Sequence, residues 1–137
     1  MTQNVETKKV LLVDDSVTTL LMERVILAES PKLNLITAAN GAEALQLARE
    51  QRPDLILMDT VMPHMNGIQA YRAIRALDGF ATVPIILVTT PGEQDDALGG
   101  YASGCTGYIT KPINPAELTA VVEAHLGRER DFDMMRK

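Results

Sequence analysis

The sequence predicts an α/β fold in which a doubly wound sheet of five parallel strands is covered by five helices. Short runs rich in β-branched residues alternate with helical patterns from residue 8 to residue 126, which is typical of parallel strands joined by helical crossovers. Three of these runs are almost continuously apolar, as expected for strands covered on both faces. The predicted strands are 9–13, 34–38, 55–58, 83–88 and 107–110.

Capping residues and apolar spacing predict the helices. Ser16, Asn40, Asn66 and Asn114 are each placed to cap a helix, and Pro115 follows the last of them at the first helical position. The faces expected to be buried are Val17, Leu20, Leu21, Val25 and Ala28 in the first helix, Ala44, Leu45 and Ala48 in the second, Ile68, Tyr71, Ile74 and Leu77 in the third, and Leu118, Val121, Val122 and His125 in the last. The fourth helix, at 93–103, contains two consecutive glycines and is predicted to be marginal.

Length, charge and cysteine content exclude several classes of protein. At 137 residues we expect one domain, 1–127, followed by a charged tail or linker stub at 128–137. A net charge of −5 without a long basic run argues against direct nucleic-acid binding, and no apolar run is long enough for a membrane span. The single cysteine, Cys105, cannot form an internal disulfide bond and favours a reducing, cytoplasmic compartment.

Charged and hydroxyl side chains follow the predicted strands where each strand ends. Asp14 and Asp15 follow the first strand, Asp59 follows the third, Thr89 follows the fourth, and Lys111 follows the fifth. Ligands of such sheets bind outside the carboxyl ends of the strands. Clustered carboxylates repel one another unless a cation is present, and Mg²⁺ prefers carboxylates, water and phosphate oxygens. These carboxylate, hydroxyl and ammonium groups together predict phosphoryl transfer with a carboxylate as nucleophile.

Over residues 8–126 the chain resembles the receiver domain of two-component response regulators, particularly the chemotaxis type. The resemblance is carried by Val13-Asp14-Asp15-Ser16, Leu57-Met58-Asp59 with Met62-Pro63-His64-Met65-Asn66-Gly67, Val88-Thr89 and Tyr108-Ile109-Thr110-Lys111-Pro112. It implies a flavodoxin-like strand order, 2-1-3-4-5. It also implies a cytoplasmic phosphoprotein that is not an enzyme apart from catalysing its own phosphorylation and dephosphorylation.

The resemblance implies a phosphorylation chemistry for these residues. Asp59 would accept a phosphoryl group from a sensor histidine kinase or a histidine phosphotransfer protein. Asp14, Asp15, Asp59 and the backbone carbonyl of Val61 would bind Mg²⁺, and Lys111 would pair first with the carboxylate and then with the phosphoryl oxygens.

The resemblance also implies a switch. Thr89 would move its hydroxyl onto the phosphoryl group and Tyr108 would move inward behind it, changing the surface of the fourth helix, fifth strand and fifth helix. That surface would bind a downstream protein partner or a lost output domain, and it is a candidate homodimer interface. The Lys111–Pro112 peptide bond is expected to be cis.

Two alternative functions belong to other classes. A receiver-like scaffold would bind partners without phosphorylation, but the complete set of acidic, threonine and lysine residues argues against it. An aspartyl phosphohydrolase usually has a second Asp two residues after the nucleophile, where this chain has Val61. Val61 and Pro91 are apolar where fast-cycling receivers carry polar side chains, so we expect a long-lived phosphoryl group, and Thr90 is expected to narrow access for phosphodonors.

Overall fold

The computed structural model describes residues 7–29, 32–60, 67–89 and 107–126. The strands are β1 (Lys8–Val13), β2 (Leu33–Ala38), β3 (Leu55–Asp59), β4 (Ile85–Thr89) and β5 (Gly107–Thr110). The helices are α1 (Val17–Leu27), α2 (Gly41–Gln51), α3 (Gly67–Arg75) and α4 (Pro115–Leu126), the last of which is the fifth helix of the sequence prediction. The predicted fourth helix and the tail lie outside the described residues.

All five strands are parallel and lie in the order β2-β1-β3-β4-β5, which confirms the predicted fold class and strand order. Val13 at the end of β1 pairs with Met58 of β3, and Asp59 pairs with Val88 of β4. Thr89 pairs with Thr110 of β5. The carboxyl ends of four strands therefore lie side by side, beside the point where the strand order reverses and ligands of open α/β sheets bind.

Apolar side chains are buried on both faces of the sheet. Along β1, Leu11 and Val13 belong to a core on the side of α2 and α3, whereas Val10 and Leu12 belong to a core on the side of α1 and α4. This alternation follows from the pleat of a strand, which sends successive side chains to opposite faces. It explains why the strands are almost continuously apolar. Within the described ranges, no helix is long and apolar enough to span a membrane.

Three of the predicted helix caps are present. The Ser16 hydroxyl accepts a hydrogen bond from the backbone N–H of Thr19 at 3.2 Å. Asn40 and Asn114 accept in the same way from the third residue after each, at 2.8 and 2.9 Å. These bonds satisfy N–H groups that have no partner within the helix. Asn66, the fourth predicted cap, lies outside the described residues.

The prediction for the buried face of α1 was wrong. Only Leu20 of the predicted set is partly buried, whereas the other four residues are exposed: Val17, Leu21, Val25 and Ala28. The buried residues of α1 are Glu23 and Leu27. Apolar residues lie on both sides of this helix, so their spacing is compatible with two orientations. Packing against β1, β2 and α4 selects the face that carries Glu23.

Candidate functional site

The structure brings the three predicted carboxylates together at the carboxyl edge of the sheet. Asp14 directly follows β1 and Asp59 is the last residue of β3, which is the strand beside it. One carboxylate oxygen from each of Asp14, Asp15 and Asp59 lies within 4.8 Å of the others. Asp14 and Asp59 are buried and Asp15 is exposed. The cluster therefore combines two buried carboxylates with one that is open to solvent.

Lys111 places a positive charge against the two buried carboxylates. Its Nζ atom is 3.5 Å from Asp59 Oδ1 and 3.7 Å from Asp14 Oδ2. The backbone N–H of Lys111 donates to the carbonyl of Thr89 at 2.7 Å, which holds the residue beside the end of β4. The Lys111–Pro112 peptide bond is cis, as predicted.

Thr89 supplies a buried hydroxyl next to the strand that ends in Asp59. It is the last residue of β4 and is completely buried. Its Oγ1 atom has no hydrogen-bond partner among the described residues. The backbone N–H of Thr60 donates to the carbonyl of Val88 at 3.1 Å, which ties the end of β3 to β4. Buried hydroxyls are rarely left without a partner, and within the described ranges no group competes for this one.

The remaining predicted site residues are Tyr108 and Val61. Tyr108 lies on β5 and is 51% exposed, so its inward movement stays a prediction. Val61 lies outside the described residues, as do Thr90 and Pro91.

The charged groups of the site shift one another's pKa values. Burial raises the pKa of Asp14, although a hydrogen bond from the N–H of Ser16 to Oδ1 at 2.8 Å and the Lys111 ammonium oppose the shift. Burial acts to lower the pKa of Lys111, but the carboxylates of Asp59 and Asp14 outweigh it and the net pKa is raised. Lys111 is therefore held in its charged form by the two carboxylates.

The donor set fits Mg²⁺. Hard divalent cations bind carboxylate oxygens, and three are close enough to share one ion. Asp14 Oδ2 has no hydrogen-bond partner in the described part of the chain. When ionised, three carboxylates beside one ammonium leave two negative charges, which one divalent cation would neutralise.

Sequence reasoning missed a fourth acidic group, Glu23. This residue of α1 is only 1% exposed. Burial raises its pKa to about 8, and the carboxylates of Asp14 and Asp59 also raise it while Lys111 lowers it. A signal was present in the sequence, because Glu23 stands three residues after Leu20 and four before Leu27 and so shares their helix face.

Comparison with known proteins identifies the family. The family model for the response regulator receiver domain matches residues 10–123. Protein PilH of Pseudomonas aeruginosa is 36% identical over 118 residues, which cover 86% of this chain and 97% of PilH. Other curated relatives are matched over about half their length, such as the DNA-binding response regulator MtrA of Mycobacterium leprae, of which 53% is covered at 38% identity.

Two solved structures share both the fold and part of the sequence. The chemotaxis response regulator CheY4 of Vibrio cholerae matches with a TM-score of 0.79 and 34% identity over 87% of this chain and 98% of that chain. The receiver domain of sensor histidine kinase PA1611 of Pseudomonas aeruginosa, solved with a magnesium ion coordinated in its active site cleft, has a TM-score of 0.79 and 31% identity over 88% and 98%. Receiver domains are signalling modules that interact with histidine kinases and output partners. This chain belongs to the response regulator receiver domains of two-component systems.

Proposed function

We propose that this receiver is a phospho-acceptor, in which Asp59 takes a phosphoryl group from a phosphohistidine of a sensor histidine kinase or a histidine phosphotransfer protein. The observation that carries the proposal is the position of the Lys111 ammonium, 3.5 Å from Asp59 and 3.7 Å from Asp14. It supplies fixed positive charge where an anionic group would enter. The buried hydroxyl of Thr89 supplies a neutral donor on the neighbouring strand.

The transfer is a displacement at phosphorus. An oxygen of the Asp59 carboxylate forms a bond to phosphorus, the bond from phosphorus to the histidine nitrogen breaks, and its electron pair stays on the imidazole. Lys111 pairs with the phosphoryl oxygens and Thr89 donates its hydroxyl to one of them. Such reactions depend mainly on positioning and on neutralising charge. Subsequent attack of water on phosphorus would release phosphate and restore the carboxylate.

Mg²⁺ is the cofactor that we propose for this reaction. Asp14, Asp15 and Asp59 would hold it through their carboxylates, and the family resemblance adds the backbone carbonyl of Val61. When bound, the ion supplies positive charge that neutralises phosphoryl oxygens. The geometry of the three described carboxylates supports this assignment, and so does the magnesium ion in the PA1611 receiver structure.

The expected change in the binding surface follows from the charge that phosphorylation adds. A phosphoryl group brings about −1.5 to −2 charges and new acceptor oxygens. Thr89, whose hydroxyl has no partner in the described residues, would turn towards these oxygens, and the half-exposed Tyr108 would move inward. The surface of β5, α4 and the predicted fourth helix would then change its affinity for a downstream protein, an output domain or a second copy of the chain.

The site is bordered by a surface that suits a protein donor. Asp15 is exposed, and α1 begins two residues later with a stripe of exposed apolar side chains formed by Val17, Leu21 and Val25. Apolar patches of this kind mark contact surfaces for other proteins. We place the donor, and therefore this chain, in the cytoplasm, and we propose no direct contact with nucleic acid or membrane.

Phosphorylation is tested by incubating the protein with Mg²⁺ and acetyl phosphate and measuring its intact mass. We expect wild type to gain one phosphoryl group and Asp59→Asn to gain none. Asp78→Asn, which changes an exposed aspartate outside the carboxylate cluster, is the matched control and should behave as wild type. If acetyl phosphate fails, a phosphorylated histidine phosphotransfer protein is the second donor. Wild type that stays unmodified with both donors would contradict the proposal and favour a phosphorylation-independent scaffold.

A further inference from the structure

A groove lies between α1 and α4, which pack on the same face of the sheet. Its volume is about 500 Å³, and most of the side chains that line it are apolar. Val25 and Ile26 of α1 form one wall, and Pro115, Ala116 and Ala120 of α4 form the other. Because the α4 wall consists of small side chains, neither helix fills the groove, and Val25 is 64% exposed.

One end of this groove is acidic. Glu123 of α4 and Glu29, which stands two residues after the end of α1, line the groove together with the apolar residues. Each helix follows a strand of the parallel sheet and packs on the same face, so α1 and α4 run in the same direction. The two glutamates therefore lie towards the end of the groove where α4 itself ends, at Leu126. A segment that continues from α4 and turns back meets this acidic end first.

The sequence that continues from α4 has a pattern that matches the groove. Gly127 directly follows the helix, and glycine is the residue that most readily lets a chain leave a helix and change direction. In an extended chain, successive side chains point to opposite sides. One side of the tail, 128–137, then carries two basic residues followed by two apolar ones: Arg128, Arg130, Phe132 and Met134. The other side carries the acidic residues: Glu129, Asp131 and Asp133.

We propose that the tail turns back from the end of α4 and docks in extended form in the groove between α1 and α4. Its first two arginines lie beside the two glutamates of the groove, and Phe132 and Met134 pack against the apolar walls. The acidic side of the tail faces solvent. Docking covers Val25 and so shortens the exposed apolar stripe of α1. The inference is independent of the proposed phosphorylation, because none of these residues belongs to that site.

The tail is long enough to reach the apolar walls. A helix rises about 1.5 Å per residue, so Ala120 lies about 9 Å back from Leu126 along α4. An extended chain spans about 3.3 Å per residue, so the six residues from Leu126 to Phe132 reach about 20 Å. This length allows for the turn as well as for the return along the groove.

The charge of the groove favours the tail over a second copy of the chain. In a symmetric pair the same surface of each copy meets that of the other, so two acidic grooves would share one interface. No basic side chain of the described residues lines the groove to compensate them, and like charges across an interface are unfavourable. The tail instead brings cations. It is also attached next to the groove, which gives it a high effective concentration there.

Fluorescence quenching of the full chain tests the docking. The sequence contains no tryptophan, so Phe132→Trp places a single fluorophore in the tail, and acrylamide quenching measures how well its indole is covered. We expect Ala120→Arg, added to this protein, to raise the quenching constant several-fold, because the new side chain fills the groove and repels the arginines. Glu123→Lys should also raise it, because it places a cation beside the arginines. Ala42→Arg, at an exposed alanine of α2 on the other face of the sheet, is the matched control and should leave quenching low.

Three results would overturn the proposal. Quenching of the Phe132→Trp protein as strong as that of a free peptide of residues 128–137 with the same substitution would show that the tail is not docked. Low quenching that Ala120→Arg leaves unchanged would place the tail elsewhere on the protein. Protection that is lost on dilution would assign the groove to the tail of a second copy. Should Ala120→Arg fold poorly by circular dichroism, Ala116→Arg on the same wall gives the same comparison.

Discussion

Glu23 makes the stability of this protein depend on pH. Its pKa is raised from 4.5 to about 8 in the folded chain, chiefly by burial. Between these two values the folded state keeps the proton and the unfolded state loses it. The folded state therefore binds more protons, and the free energy of unfolding falls as pH rises from about 4.5 to about 8. The destabilisation is absent below this window and complete above it.

The size of the effect follows from the shift. One pKa unit corresponds to about 1.4 kcal/mol, so the full shift destabilises the protein by about 5 kcal/mol above pH 8 and by about 3 kcal/mol at pH 7. Domains are typically stable by about 5–15 kcal/mol, so this destabilisation is on the order of a third of the free energy of unfolding. Solvent screening is small because the side chain is only 1% exposed. Glu23→Gln removes the ionisation and should abolish this part of the pH dependence.

Urea denaturation followed by far-ultraviolet circular dichroism measures the effect. Wild type, Glu23→Gln and the exposed control Glu50→Gln are compared at pH 5, 6, 7 and 8, at constant ionic strength and with EDTA to exclude divalent cations. We expect the stability of Glu23→Gln relative to wild type to rise by about 3 to 4 kcal/mol between pH 5 and pH 8. Titrating groups that do not interact with Glu23 are common to both proteins and cancel in the difference, whereas Asp14 and Asp59, which raise the pKa of Glu23, are part of the measured effect. A constant difference across this range would refute the reasoning.

Three further predictions address the other conclusions. Lys111→Met should slow phosphoryl uptake from acetyl phosphate at least tenfold, measured by intact mass, because the ammonium beside Asp59 is lost; an unchanged rate would contradict the role of Lys111. In urea denaturation, Leu27→Ala should destabilise the protein by about 2 to 5 kcal/mol because Leu27 is buried, and Val25→Ser by less than about 0.5 kcal/mol because Val25 is exposed. Similar losses of stability in the two variants would contradict the orientation of α1. Val61→Asn should speed loss of the phosphoryl group several-fold, since an amide can orient water; a phosphoprotein lifetime that is equal or longer would disprove the expected long-lived state.

Most of the site could be predicted from the order of elements. Asp14, Asp59, Thr89 and Lys111 are distant in sequence, yet each stands where a predicted strand ends. In a parallel sheet the carboxyl ends share one edge, so recognising the strands is enough to bring these residues together. The helix caps could be predicted for a different reason: the bond from Asn114 to the N–H of Glu117 joins residues three positions apart and depends little on the rest of the fold.

The orientation of α1 could not be predicted in this way. The helix carries apolar residues on two sides. The spacing of Val17, Leu21 and Val25 is compatible with a buried face, and the spacing of Leu20 and Leu27 is equally compatible with one. The sequence by itself thus determined the sheet, its helical crossovers and the acidic edge, because these depend on local pattern and strand order. The tertiary structure decided which face of α1 meets the sheet, because that depends on how the helix packs against β1, β2 and α4, and this packing buries Glu23.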